Sequence, residues 1–547
     1  MIDSDRRPAT GDRRPAHRLI AVAGRTSQAL ARLRYDVEPL FSGDDRLRLA
    51  YTLIPGSRFA SGAPDFAARN GIELLPWAAV PAMRPDLVIT SSPDPCLYEA
   101  GAPVISLPHG AGHNRLRPEL SGVSGLSPEQ IRGPHGQTPD LLALPGPAAL
   151  RRLAVDCPDA LPHAEVCGDV CFERLRAGTA LRDCYRAALG IAPGRRLVVL
   201  SSSWDLTALA RRDQTLPERL FAELPMDEFA VAYIPHPNES LGGGPSPTGL
   251  LRPYLVNGLI MIPPDEGWRA VLAAADCLIG DHGSVTFYGA ALGVPTLLAA
   301  FGFANMPPEL PLARFGRAAP RFDSAAPAAP QIRRAIDQGP LEFDFADALA
   351  EPDPGPAARI HAAAYRLLGL ASPSMPAPQL VPVPAVVPEH APTTSWRCTD
   401  RDRFPVSVPN PQDGQRTGHL VADVANEDDR LRSAANVLLR HRVSVASEQA
   451  RPAAEAVLSA YPICRVASVR IERRDGERAS ALIAVRNGPR LLVEATPGQL
   501  DLLPSRVYDL LAQQSSDPFG VKLAEAIEDL QRDFEPQPTI VAVEETA

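Results

Sequence analysis

Residues 276–300, DCLIGDHGSVTFYGAALGVPTLLAA, read as strand, polar loop, helix and second strand. The apolar Cys277-Leu278-Ile279 stops at Gly280-Asp281-His282-Gly283-Ser284, and a helix-compatible run follows, closed by Gly293 and Pro295 before Thr296-Leu297-Leu298. A serine entering a helix is expected to cap it. The glycines let backbone N–H groups approach a neighbour closely, and helix N-termini attract anions, so the loop invites a phosphate. Glycine also occurs in strand-to-helix loops for steric reasons alone. The rest of the chain must decide.

Working outward, the same alternation runs from Leu19 to about Leu370. HRLIAVAG, PDLVITS, APVISLPHG, DLLALPG, RRLVVLSSSW, FAVAYIPHP, NGLIMIPP, DCLIGDHG and VPTLLAA are the predicted strands. They are apolar throughout, as parallel strands buried on both faces require. Helical stretches such as TSQALARLRYDV, LRDCYRAALG and EGWRAVLAAAD separate them. This alternation predicts a doubly wound α/β fold. Its length suggests two domains, 17–190 and 191–371, parting at the Pro-Gly punctuation of LGIAPGRR.

Beyond Ala371 the character changes. Residues 372–395 are proline-rich, cannot form a helix and predict an extended linker. From Trp396 to 547 the strands CRVASVRIERR, ASALIAVR and RLLVEATPG are joined by Asp475-Gly476 and Asn487-Gly488, both hairpin signals. Helices are predicted at DDRLRSAANVLLRHR and VKLAEAIEDLQRDF. The expectation is a small, separable α+β domain with an antiparallel meander, suited to partner binding or oligomerisation.

With 547 residues, two to four domains are expected. The 45% apolar and 22% charged composition is that of a soluble globular protein, and no apolar run approaches a membrane span of about 20 residues. Residues 1–16 are charged and lack a hydrophobic core segment, so they read as a disordered tail rather than a secretory signal. A net charge of −9 without a basic stripe argues against nucleic acid. The eight cysteines form no disulfide framework; Cys167 and Cys171 lack a second close pair, so no zinc site is expected and the thiols read as buried in a reducing cytoplasm.

In open α/β sheets ligands bind beyond the carboxyl ends of the strands. Four strands here end in polar clusters: Pro108-His109-Gly110 followed by His113, Ser201-Ser202-Ser203-Trp204, Pro235-His236-Pro237, and the opening loop. A lone strand-end histidine is usually a hydrogen-bonded structural residue, Trp204 is ordinarily packing, and a serine run is often a turn. His109 and His113 are four apart, but the intervening glycines oppose a helix, and we reject a metal pair.

Taken in order, PHG, VCGDVCFERL, RRLVVLSSSW, YIPHP and AVLAAADCLIGDHGSVTF resemble the CDP-glycerol glycerophosphotransferase family, which builds teichoic-acid-type polymers. The resemblance spans roughly Pro85 to Leu298. It implies a glycosyltransferase-B-type fold of two facing Rossmann-like domains with the site in the cleft. It implies His109 as general base and His236 as a donor to the diphosphate. Ser203, Pro237, Asp281, His282, Gly283 and Ser284 would bind donor phosphate, with Gly110, His113 and Arg115 toward the acceptor. The chain departs from the family pattern at Glu173 (usually aspartate), at Asn114 and Asp205 (usually basic), at Tyr288 (commonly acidic) and at His282-Gly283, which replaces an aromatic residue and one serine of a pair.

The resemblance thus implies a transferase using a nucleotide-diphosphate donor, without cofactor or metal, cytoplasmic or peripheral at the inner membrane face. Two alternatives stand beside it. One is a UDP-N-acetylglucosamine 2-epimerase-like enzyme, although the loop lacks the glutamate such enzymes need. The other is a catalytically silent relative that binds a nucleotide or a protein partner.

Overall fold

The computed structural model describes residues 17–57, 60–239, 247–376, 380–387, 392–399, 402–406, 418–472, 478–513, 527–528 and 530–543. The predicted tail at 1–16 and the Asp475-Gly476 turn lie outside these, as does half of VKLAEAIEDLQRDF.

The first sheet contains β1 (Arg18–Gly24), β2 (Leu47–Leu53), β3 (Leu74–Pro76), β4 (Leu87–Thr90), β5 (Val104–Ser106), β6 (Leu141–Leu144) and β7 (Ala164–Val166). Their order is β3-β2-β1-β4-β5-β6-β7, and every pairing is parallel. The second contains β8 (Arg196–Ser201), β9 (Phe229–Ile234), β10 (Ile260–Met261), β11 (Cys277–Gly280) and β12 (Thr296–Leu298), in parallel order β10-β9-β8-β11-β12. All nine predicted strands are present. The fully buried LVIT, LLAL and CLIG confirm that continuous apolar runs here mark strands covered on both faces. Strand order reverses between β1 and β4 and between β8 and β11, which opens a crevice beyond those strand ends.

The domain boundaries need correction. Helix Val170–Gly178 crosses from the first domain toward the second, but helix Pro356–Leu367 returns. Its Ile360, Ala363, Ala364 and Tyr365 pack in the first core with Ile20, Leu87 and Ile105, so 191–371 is not one contiguous unit. The return path is tight. Gly168 has φ 81°, and a Cβ there would lie 2.5 Å from the Ala350 carbonyl oxygen.

Where it is described, the proline-rich segment has no helix and is not free. Val381 is buried in the second domain's core, and Tyr185 Oη donates to its carbonyl at 2.8 Å. A proline-rich strand can pack by its few valines without periodicity, so the segment is a strap.

The last domain is also richer than a meander. Among the described residues its strands are β13 (Ser395–Thr399), β14 (Asp402–Pro405), β15 (His419–Asp423), β16 (Val437–Val445), β17 (Val466–Ile471), β18 (Ala479–Val485), β19 (Arg490–Ala495) and β20 (Thr539–Val543). They are ordered β14-β13-β15-β16-β17-β18-β19-β20. The expected antiparallel β17-β18-β19 ladder is there, with Asn487 at φ 55° in its turn, but β15-β16 and β16-β17 are parallel. The helix predicted across DDRLRSAANVLLRHR stops at Ala434, because VLLRHRVSV is a strand. This domain docks on the second one. The Met226 N–H donates to the Arg403 carbonyl at 2.6 Å, and Arg403 Nε reaches Asp227 at 2.7 Å. Among the described residues no helix is long and apolar enough to cross a membrane.

Candidate functional site

Strands β5, β8, β9 and β11 deliver the four polar clusters to the interdomain crevice. His109 follows β5. It is solvent-exposed, yet its pKa is drawn below the ordinary imidazole value, first by desolvation and then by Arg117, Arg32 and Arg115. Accessibility combined with desolvation describes a group on the floor of a cleft rather than on an open surface.

His236, beyond β9, accepts the Asn238 N–H at Nδ1 (3.0 Å), so its proton sits on Nε2. Its pKa falls to about 3 through desolvation, then through Arg115 and His109. His236 therefore lies within the field of His109, and both are lowered below the ordinary imidazole value and neutral near pH 7. Trp204 stands beside His236, with ring centroids 6.4 Å apart. Pro237 is half-buried next to it.

The opening loop has a different internal logic from the one expected. Asp281 is fully buried and accepts from Ser203 N (2.8 Å), Ser203 Oγ (3.0 Å), Leu209 N (2.9 Å) and Gly283 N (2.8 Å). It ties the loop after β8 to the loop after β11. His282 is buried too, and its Nδ1 accepts the Gly302 N–H at 3.2 Å. Its Nε2 lies 2.9 Å from Asp205 and 3.2 Å from Ser203 Oγ. Ser203, Asp281 and His282 thus shape the loop from beneath, since burial and saturated hydrogen bonding leave them no room for a phosphate.

Ser284 does not cap its helix. Gly283 is the capping residue and no side-chain cap bond forms. The serine is the first helical residue, where its hydroxyl projects outward and accepts the Ala111 N–H from the first domain at 3.2 Å. Gly110 makes this approach possible, because a Cβ there would lie 2.7 Å from Ser284 Oγ. The exposed start of helix Ser284–Ala291 remains directed at the first domain's His-Gly turn.

Arg115 Nη1 pairs with Asp205 at 3.0 Å, a second contact between the domains. His113 turns aside instead, with Nδ1 3.3 Å from the Ser124 carbonyl oxygen and its pKa lowered to about 4, chiefly by desolvation.

Sequence reasoning missed a buried ionic cluster behind the cleft. Asp36 accepts from Arg269 (2.8 Å), Arg174 (2.9 Å) and Arg32 (3.4 Å). Arg32 also pairs with Asp169 at 2.8 Å, and Asp169 accepts the Tyr288 hydroxyl at 2.8 Å. Burial alone would raise the Asp36 pKa, but the three arginines outweigh it and hold the carboxyl below its ordinary value. Asp169, next to Gly168, is therefore the acid buried at the crossover, while Glu173 accepts the Ala357 N–H at 2.8 Å and anchors the returning helix. Among the described residues no group of three or more His, Cys, Asp or Glu side chains could hold a metal ion.

Two parallel sheets flanking a strand-end cleft, with a crossover helix and a returning helix, define a glycosyltransferase-B-type fold. No protein-family profile and no curated protein sequence matches the chain. Among solved structures it is similar to the wall teichoic acid polymerase TagF, at 15% identity over 65% of this chain and 90% of that one, TM-score 0.38. It is likewise similar to the UDP-GlcNAc 2-epimerase from Neisseria meningitidis bound to UDP-GlcNAc, at 11% identity over 64% of this chain and 100% of that one, TM-score 0.38. A third similarity is to the S. aureus MnaA-UDP co-structure, at 12% identity over 67% and 100%, TM-score 0.36.

Proposed function

We propose that the chain is a transferase that moves a polyol-phosphate or sugar group from a nucleotide-diphosphate donor to an acceptor hydroxyl. The observation that carries this reading is that two neutral histidines, His109 and His236, follow strands β5 and β9 of facing domains, with His109 among the groups that lower His236.

Their bonding assigns distinct roles. His236 has its Nδ1 occupied by Asn238, so Nε2–H is the group free to donate to a donor phosphate. His109 is neutral and accessible, and takes the proton as the acceptor oxygen attacks. The bond from the transferred group to the nucleotide phosphate breaks, and the departing phosphate leaves toward the start of helix Ser284–Ala291. Backbone N–H groups there stabilise the charge it gains. Gly283 and Pro237 shape this phosphate side, and Gly110 lets the acceptor loop approach it. A CDP-glycerol-like donor is the one that the sequence resemblance implies.

Calorimetric titration with CDP, UDP and GDP, followed by turnover of the activated donors of whichever binds, tests the proposal. Saturable binding of one nucleoside diphosphate and release of its nucleotide on transfer are expected. Binding without turnover would favour a silent nucleotide-binding relative, and no binding of any of the three would overturn the reading.

A further inference from the structure

The cleft poses an electrostatic problem. A nucleoside diphosphate brings two to three negative charges, yet the cleft histidines are neutral near pH 7: His236 and His113 titrate at about 3 and about 4, and His109 is also lowered. The positive charge must come from arginine. Arg32 is buried and engaged by Asp36 and Asp169. Arg117 is exposed and lies 3.7 Å from Glu119 on its own loop. Arg115 alone of these acts on both His109 and His236, so its charge reaches both groups assigned to the reaction.

Arg115 already has a partner from the opposite domain. Asp205 Oδ2 lies 3.0 Å from Arg115 Nη1 and 2.9 Å from His282 Nε2. Its Oδ1 accepts the Thr207 N–H at 2.9 Å and the Thr207 hydroxyl at 2.7 Å. Withdrawing Arg115 would leave three donors on Asp205, so the carboxylate stays anchored and ionised without it. Both side chains remain reachable, Arg115 at 38% and Asp205 at 25% exposure. The carboxylate thus occupies, with respect to Arg115, the position an incoming phosphate oxygen would take.

We propose that Asp205 is an internal counter-ion that holds Arg115 across the cleft and is exchanged for the donor's diphosphate. Arg115 is then the positioning cation for the donor, and Asp205 sets anion affinity by competing for it. The inference rests on the nucleotide-diphosphate reading above. It requires a sign that a merely structural salt bridge would not give: neutralising Asp205 should strengthen anion binding.

The experiment is calorimetric titration of the full chain with CDP, UDP, GDP and inorganic pyrophosphate. The proteins are wild type, Asp205→Asn, Arg115→Gln and the double variant, with circular dichroism confirming that each is folded. Asp205→Asn should tighten binding roughly three- to tenfold and Arg115→Gln weaken it by a similar factor, as expected for a partly exposed charge pair. The double variant should fall close to Arg115→Gln, because the competition that Asp205 exerts needs Arg115 as its object. Unchanged or weaker binding by folded Asp205→Asn would overturn the inference while nucleotide binding itself upheld the functional reading. Binding of pyrophosphate that follows both variants, with no nucleotide preferred over it, would uphold the exchange and sink the nucleotide assignment. Failure of every probe on every protein would overturn both.

Discussion

Asp36 of the first domain and Arg269 of the second meet at 2.8 Å with both side chains buried. The pair sits behind the cleft, where Arg32, Arg174, Asp169 and Tyr288 extend it through the crossover helix. It ties the first domain to the second behind the strand ends that carry His109 and His236. Removing one partner of a buried pair leaves uncompensated charge and costs about 3–5 kcal/mol. Asp36→Ala should show that loss in urea denaturation followed by circular dichroism. A loss below about 1 kcal/mol, the range of surface pairs, would contradict this role.

Stability should also fall on mild acidification. His113 and His236 bind protons in the folded state only at about 4 and about 3, against an ordinary imidazole value of 6.5. Between those limits the unfolded chain holds more protons, so stability present above pH 6.5 is lost as pH falls toward 4 and 3. Asp36, whose carboxyl is lowered, adds a further loss only below its ordinary value of 3.8. The melting temperature should therefore drop from about pH 6.5 to about pH 4.5, and less steeply in His113→Gln. Equal slopes in the two proteins would remove His113 from the account.

The contact between Gly110 and Ser284 predicts a reversal. Gly110→Ala alone would force a Cβ to 2.7 Å from Ser284 Oγ, whereas the serine Cβ lies at 3.5 Å. Overpacking of this kind costs about 1–3 kcal/mol, and Ser284→Ala alone should cost about 0.5–1.5 kcal/mol for the lost hydrogen bond to Ala111. The double variant should be more stable than Gly110→Ala alone. Additive losses in the denaturation cycle would show that the two loops do not touch.

A chain ending at residue 371 should lose stability rather than remain intact. It would uncover the pocket that Val381 fills and forfeit the hydrogen bond from Tyr185. Burial of one valine side chain is worth about 1.5–3 kcal/mol. Calorimetry should show the full chain melting with its last domain coupled through Arg403 and Asp227, and the shortened chain melting earlier. A shortened chain as stable as the full one would restore the view of a separable module.

The sequence made the strand ends legible because buried parallel strands are continuous apolar runs, and four of them stop at a polar cluster. His109 and His236 could be found that way. β2 could not, since LRLAYTL is only partly buried and carries an arginine, which breaks the apolar run. The ionic cluster was hidden for a related reason. Arg269 in EGWRAVLAAAD and Asp36 in ARLRYDV look like ordinary surface charges, and only the fold brings them together in the interior. Ser203, Asp281 and His282 were located correctly at a strand-end loop, yet sequence gives no depth, so their burial beneath it was invisible. The parallel pairings of β15, β16 and β17 escaped notice because short connecting helices such as Asp429–Ala434 merge with the strand that follows.

The most direct test of the central claim compares donor affinity with single-turnover rate in His109→Ala and His236→Ala, using the donor identified by titration. His109→Ala should keep donor affinity and lose roughly 10²–10⁴-fold in rate, as removal of a general base requires. Its wild-type acidic limb, set by an imidazole lowered below 6.5, should vanish with it. His236→Ala should weaken donor binding as well as slow transfer. A His109→Ala protein with full turnover, or one that loses donor affinity but not rate, would contradict the account.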